Sequence, residues 1–334
     1  MEGLPRPGER ATVRVELPPE VSVPTPLRVN PRRVDIKTGF QCNNRCTFCV
    51  QGDKRLEHAD KTTAELFTIL EDARGHADQL VLTGGEVTLR QDLPELVAHA
   101  RGLGFRVIQL QTNGRALSVA RVLDRLIAAG VTEVAPALHG PTPEIHDAQT
   151  RAPGSFKQTV RGIRNATARG IPVILNSVIT RANAAHLEAM ARLFVALKVT
   201  QFQLAFVHAL GTAGANFDAV VPRFTDIAPQ LRLALAVGRA ARIPAWTEGI
   251  PLCVLGNDAG HAAEPTMPRL RIVDATWIIE DYTVVRHEEA KLKGPPCEAC
   301  DLAPVCEGPW REYPERFGWD ELVAVRRPRK PGSL

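Results

Sequence analysis

Six times between residues 34 and 241, a short run rich in β-branched residues is followed by a stretch with apolar residues three and four apart. The runs Val34–Phe40, Gln79–Thr83, Phe105–Gln111, Val131–Leu138, Val173–Ile179 and Phe202–Val207 read as strands. The stretches Thr63–Ala73, Leu93–Leu103, Ser118–Ala129, Phe156–Ala168, Ala184–Leu197 and Ile227–Ala241 read as helices. A chain that alternates in this way lays its strands parallel, and right-handed crossovers put every helix on the same outer side, so the sheet curves. The expected core is an α/β fold, a partial (β/α)6 barrel over residues 33–242. The pattern then changes. Leu270–Ile279 and Thr283–Arg286 look like hairpin strands, a cysteine-rich segment follows, and Trp319–Val325 reads as a last helix. Together they predict a small α+β extension over residues 243–325, with an extended lead-in at 1–32 and a basic tail at 326–334.

With 334 residues, 44% of them hydrophobic, the chain can bury one large core and a small appendage. No apolar run reaches the roughly eighteen residues that span a bilayer. The first twenty residues lack the apolar centre of a secretory signal, so a cytoplasmic protein with no membrane partner is expected. A net charge of +4 is too small to imply nucleic acid, and the tail residues Arg326, Arg327, Arg329 and Lys330 read as a solvated terminus.

All seven cysteines fall into two groups: Cys42, Cys46 and Cys49 near the start, and Cys253, Cys297, Cys300 and Cys306 near the end. Under reducing conditions such clusters are metal ligands or catalysts rather than disulfides. Three thiolates can hold a cubane iron–sulfur cluster with one iron open for chemistry, whereas four thiolates close their cluster. Four cysteines suit tetrahedral zinc equally well by spacing alone.

The polar motifs sit where a parallel α/β barrel collects its reactive groups, on loops at the carboxyl ends of strands. Cys42 to Cys49 follow the first strand, Thr83-Gly84-Gly85-Glu86 the second, Gln111-Thr112-Asn113-Gly114 the third and His139-Gly140 the fourth. All four are expected at one mouth.

The spacing Cys42-x3-Cys46-x2-Cys49, with Phe48 before the last cysteine, and the later Gly84-Gly85-Glu86 resemble the radical S-adenosylmethionine (SAM) superfamily over residues 34 to about 240. The resemblance implies a TIM-like partial barrel. It also implies a 4Fe–4S cluster on the three cysteines whose fourth iron is chelated by SAM. Reductive cleavage of SAM would give a 5′-deoxyadenosyl radical that abstracts hydrogen from substrate. Glycines 84 and 85 let backbone approach the methionine moiety, Glu86 faces its ammonium group, and Phe48 sits against adenine. Thr112 and Asn113 have two readings, a SAM contact or an Asn-Gly turn. Asn176 either points toward the ribose or is a hydrogen-bonded core residue. Arg151 either pairs with a carboxylate of SAM or substrate or caps the next helix. Val87 stands where a proline commonly follows the Gly-Gly-Glu, which leaves the ligands untouched.

Cys297-x2-Cys300-x5-Cys306 resembles the core of that family's C-terminal SPASM and twitch extensions. Trp310 stands where a full SPASM domain has a further cysteine, so the half-sized twitch form with Cys253 as fourth ligand fits better, giving one auxiliary 4Fe–4S cluster. His208 reads as a base, a substrate contact or a hydrogen-bonded loop residue, and Tyr282 and Tyr313 as packing groups. The expected activity is radical modification of a peptide by crosslinking, epimerisation or oxidation, with electrons from a flavodoxin or ferredoxin. The thirty-odd residues before the first strand are too few for a folded leader-binding domain, so leader recognition would fall to a separate protein or to the barrel. The alternatives are a sugar or small-molecule dehydrogenase or epimerase and, from another class, an iron–sulfur electron carrier or a zinc-stabilised binding protein.

Overall fold

A computed structural model describes residues 33–326. The expected lead-in and the tail residues Arg327, Arg329 and Lys330 lie outside the described residues. The strands are β1 (Arg33–Lys37), β2 (Gln79–Thr83), β3 (Val107–Thr112), β4 (Glu133–Pro136), β5 (Ile174–Ile179), β6 (Gln201–Phe206), β7 (Ala245–Glu248), β8 (Leu270–Val273) and β9 (Ile278–Ile279). The longer helices are α1 (Thr63–Arg74), α2 (Leu93–Gly102), α3 (Ala120–Ala129), α4 (Pro143–Thr150), α5 (Ser155–Ala168), α6 (Leu187–Ala196), α7 (Phe224–Ala241) and α8 (Glu312–Phe317).

One sheet runs β4-β3-β2-β1-β8-β9 and a second β5-β6-β7, joined by the parallel bridges Val134 to Val173 and Ala137 to Asn176. Every strand pair is parallel except β8 with β9. The period of two along each strand divides the side chains. Val34, Ile36, Leu80, Leu82, Ile108 and Leu110 point outward into the buried core beneath the helices. Their neighbours Arg33, Asp35, Gln109, Glu133, Gln203 and Glu248 point the other way, into a polar lumen. Inside it, Gln109 Nε2 donates to Glu133 at 2.6 Å, and Gln203 Nε2 donates to Glu248. Arg33 on β1 feels the carboxylates of both Glu133 on β4 and Glu248 on β7, as it can only if the sheet curls around it.

The helices begin and end for local reasons. Thr62 accepts the amide of Glu65 at 3.2 Å while Glu65 accepts the Thr62 amide at 2.6 Å, a reciprocal cap on α1 worth about 0.5–2 kcal/mol. Leu66, Leu70 and Ala73 then share its buried face.

Three expectations need correction. Thr283–Arg286 is no strand: Asp281 accepts the Thr283 amide at 3.0 Å and starts a helical turn at Tyr282–Val285. Trp319–Val325 is not helical either. The last helix is α8, ended at Gly318 with φ of +72°, and beyond it the Val325 amide is drawn to Cys300 Sγ at 3.4 Å. The hairpin is made instead by β8 and β9, both inside the Leu270–Ile279 run, and β8 pairs in parallel with β1 and so extends the barrel sheet. β7 went unread because Ala245–Glu248, four residues after Pro244, is too short to display a period.

Asp274, just after β8, latches this added strand. Its carboxylate binds the ammonium groups of Lys37 and Lys54, the latter at 3.0 Å, and its carbonyl accepts Lys61 Nζ at 2.6 Å. Burial opposes ionisation of Asp274, but the hydrogen bond and charge of Lys37 outweigh it and hold the carboxyl below its ordinary value. A depressed carboxyl contributes stability above its unfolded value, about 3.9, and loses it as pH falls through the folded value. Because both lysines are partly open to water, Asp274→Asn should cost about 1–3 kcal/mol at pH 7. Denaturant titrations at pH 7 and pH 3 should show a smaller deficit at the second.

Candidate active site

After β1 the chain runs along the end of β2 with nothing between the two backbones. Thr38 N donates to Thr83 O at 2.9 Å, Gly85 N to Gly39 O at 2.9 Å and Glu86 N to Gln41 O at 2.8 Å. A Cβ at position 84 would lie 2.1 Å from the Gly39 oxygen, and one at position 85 would lie 2.3 Å and 2.4 Å from those of Phe40 and Gln41. Only glycine fits either place, and at Gly84 φ is also +139°.

Glu86 is buried at the base of this contact. Its Oε1 accepts Thr112 Oγ1 at 2.6 Å, Thr88 Oγ1 at 2.5 Å and Thr88 N at 3.0 Å, and its Oε2 accepts Asn113 N at 2.6 Å. The carboxylate thus fixes the loops after β2 and β3 and keeps acceptor capacity on Oε2. Asn113 continues the frame by donating Nδ2 to Asn43 Oδ1 at 2.6 Å, inside the cysteine loop. Thr112 and Asn113 are thus both held by Glu86, and Gly114, with φ of +78°, supplies the turn that the Asn-Gly reading expects.

The cysteine loop is tied on every side. Arg115 Nη1 reaches Asn43 O at 2.6 Å and buried Asn44 Oδ1 at 2.8 Å. Arg45 N and Thr47 N donate to Thr150 O and Gln149 O at the end of α4, both at 2.9 Å. Thr212 N donates to Cys49 O at 2.9 Å, with Gly52 packed against Gly211. Cys42, Cys46 and Cys49 are unpaired thiols. Burial, then the charge of the other cysteines, pushes Cys46 up to about 12, and burial raises Cys42. Three partly buried thiols close together, with no cation bonded to their sulfurs among the described residues, are a donor set that a positively charged iron centre fits.

The remaining predicted residues fall around this frame. Phe48 is buried and meets His139 edge-on at 4.7 Å, so it backs the site from the core. Asn176 on β5 faces the lumen, and its Oδ1 is buried with no partner among the described residues. Arg151 is exposed in the left-handed region at φ of 51°, ending α4. It does not cap the next helix. Asp147 does so, accepting Gly154 N, Ser155 Oγ and Phe156 N at 2.7 Å each. His208 stacks on Trp310 at 4.0 Å, with Nε2 3.5 Å from Glu312.

A cavity of the extension has Cys253, Cys297, Cys300 and Cys306 together in its wall. Leu252 N and Val325 N approach the sulfurs of Cys306 and Cys300 at 3.5 Å and 3.4 Å. Burial and the other cysteines push Cys253 up to about 12. Among the described residues, no three His, Cys, Asp or Glu side chains converge tightly enough for a single metal ion. Thiolates around one tetrahedral zinc stand about 3.8 Å apart given Zn–S bonds of about 2.3 Å. Those of a cubane bind separate irons and need not meet at one point.

Residues 36–194 match the family model of the radical SAM superfamily. This stretch, just under half of the chain, is similar to radical SAM domains. The chain is 33% identical over 210 residues to the PqqA peptide cyclase of Ruegeria pomeroyi, a match covering 61% of this chain and 53% of that protein, so the chain spans about half the length of this relative. In fold it is similar to Streptococcus suis SuiB bound to S-adenosylmethionine, with a TM-score of 0.62 at 13% identity over 88% of this chain and 76% of that one. It is also similar to anSMEcpe with bound AdoMet, with a TM-score of 0.62 at 15% identity over 88% of this chain and 93% of that one. No described helix is long and apolar enough to cross a membrane.

Sequence reasoning missed the ties of the cysteine loop: Arg115, Asn43, Asn44, and the Gly211-Thr212 pair that braces Cys49. Only the Gly-Thr-Ala-Gly run after the sixth strand carried a visible signal. Gly85→Ala should displace the cysteine loop, because the obstructing atoms are backbone oxygens that cannot rotate aside. The expected result is a folded protein by circular dichroism whose iron content after anaerobic reconstitution falls below that of the unaltered protein.

Proposed function

We propose that this chain is a radical SAM enzyme that abstracts hydrogen from a peptide, leading to a crosslink, an epimerised centre or an oxidised residue. The observation that carries the reading is the single hydrogen-bonded frame that joins the three-cysteine loop to the buried Glu86 carboxylate. Cys42, Cys46 and Cys49 would hold a 4Fe–4S cluster, and Glu86 Oε2 would accept the ammonium group of SAM. When bound, these groups supply one-electron cleavage of the SAM sulfonium to methionine and a 5′-deoxyadenosyl radical. Gly84 and Gly85 keep the methionine end against bare backbone, Asn176 offers its orphaned Oδ1 toward the ribose, and Phe48 stiffens the adenine side through His139. Arg151, exposed at the mouth, is the residue nearest a carboxylate role on the substrate side.

Cys253, Cys297, Cys300 and Cys306 would hold an auxiliary 4Fe–4S cluster. Their place around one cavity, together with the resemblance to the twitch extensions, supports a cubane there. Four thiolates leave no iron open, so this cluster would relay electrons rather than bind substrate. Peptide as substrate is supported by the named relatives, a PqqA peptide cyclase and a SuiB structure bound to its precursor peptide SuiA. The polar lumen suits a substrate rich in hydrogen-bonding groups. Electrons from a flavodoxin or ferredoxin, a separate protein for leader recognition and a reducing cytoplasmic setting complete the proposal.

Anaerobically reconstituted protein given SAM and a strong reductant should release 5′-deoxyadenosine, and Cys46→Ala should abolish release while keeping the second cluster's absorption. Release from Cys46→Ala protein would sink the assignment. Cys300→Ser should remove about half of the iron; unchanged iron with lost zinc would make the second site a zinc site.

A further inference from the structure

Glu248 ends β7 on the lumen face, five residues before Cys253. Around it lies a buried ionic cluster. Arg286 binds Glu307 through both nitrogen arms at 2.9 Å and 3.0 Å, and Lys291 Nζ binds Glu307 and Glu264 at 2.8 Å each. His287 Nε2 lies 3.2 Å from Glu307. Three carboxylates, Glu248, Glu264 and Glu307, thus share two permanent cations, Arg286 and Lys291, and both cations are engaged by the other two. Across the lumen Arg33 is held by Asp35 through two bonds at 2.7 Å and 3.0 Å. Among the described residues Glu248 forms no ion pair, and the neutral amide of Gln203 donates to it.

An unpaired carboxylate in a crowded interior is costly, because neither water nor an opposite charge compensates it. Glu248 nonetheless stays partly open to the lumen, next to Trp246 on the same strand face. Among the described residues the cluster therefore holds one carboxylate, Glu248, more than its paired cations engage.

We propose that Glu248 is a subsite for a cationic side chain of the substrate peptide, its carboxylate receiving an ammonium or guanidinium group. The proposal rests on the peptide reading above. Trp246 would flank the aliphatic stem and the cation. Burial first, and then the charge of Glu264, raise the Glu248 carboxyl above its ordinary value, against the opposing pull of Lys291, Arg286 and Arg33. Tyr282, also facing this cluster, is itself pushed up to about 12 by burial and by Glu248. Recognition of a cation needs the carboxylate, so it weakens as pH falls through that raised value while a lysine stays charged.

The test uses the reconstituted protein and two probes, Gly-Gly-Lys-Gly-Gly and its norleucine counterpart, with affinities from calorimetry. The lysine peptide should bind about tenfold more tightly, equivalent to roughly 1.4 kcal/mol. Glu248→Gln should erase the preference and Gln203→Ala should keep it. In unaltered protein the preference should shrink on acidification toward pH 5, a readout that does not depend on any variant folding. Equal binding of the two probes, or a preference that survives Glu248→Gln, would overturn the proposal. 5′-Deoxyadenosine release from the same samples separates the two levels: absence of the nucleoside counts against the radical reading, and its presence without a lysine preference counts against the subsite alone.

Discussion

Two stretches of bare backbone, Gly39–Gln41 and Gly84–Glu86, lie against each other closely enough that no side chain can come between them. The rest of the candidate site hangs from this contact. It sets where the cysteine loop starts, where the Glu86 carboxylate points, and through that carboxylate where Thr112 and Asn113 stand. Backbone has no rotamers to explore, so geometry fixed this way is more reproducible than geometry fixed by long side chains. The side-chain ties from Arg115 and Asn113 then hold the far end of a loop whose near end is already placed.

The barrel separates its two faces by chemistry. Outward positions are aliphatic and sealed under helices, while inward positions carry amides and charges that satisfy one another across neighbouring strands. Burying so many polar groups is tolerated because most have partners and because the lumen stays partly wet. The extension repeats the arrangement in miniature: Arg286, almost wholly buried, is held by Glu307 and lies 5.5 Å from the Tyr282 ring. Such a cluster adds little net stability compared with apolar packing, but it penalises any other arrangement of the segment between the barrel and the last three cysteines.

How much of this could be read from the chain depended on how local the cause was. The six strand–helix units were legible because each repeats a period over many residues, and the four loop motifs were legible because the topology puts every strand end at one mouth. The two cysteine groups announced themselves by spacing. β7 was invisible at four residues, and the turn at Tyr282–Val285 was hidden because β-branched residues argued for a strand while the Asp281 side chain decided for a helix. The cap of the helix after Arg151 was missed for a similar reason: it comes from Asp147, earlier in the chain and folded back over the turn. The long-range ties of Arg115 and Asn44 span 71 residues and leave no mark in any window of sequence.

The pairing of β8 with β1 has an implication for how such a chain can change over generations. The four C-terminal cysteines stand on loops and short turns, whereas the strand that joins the extension to the barrel contains none of them. Scaffold and metal ligands are therefore inherited as separate traits. A descendant could give up its second set of thiols and still need β8 to cover the flank of β1, which would otherwise be an open sheet edge and an invitation to aggregate. The seam thus has a mechanical duty of its own, and a chain without those thiols would be expected to keep it.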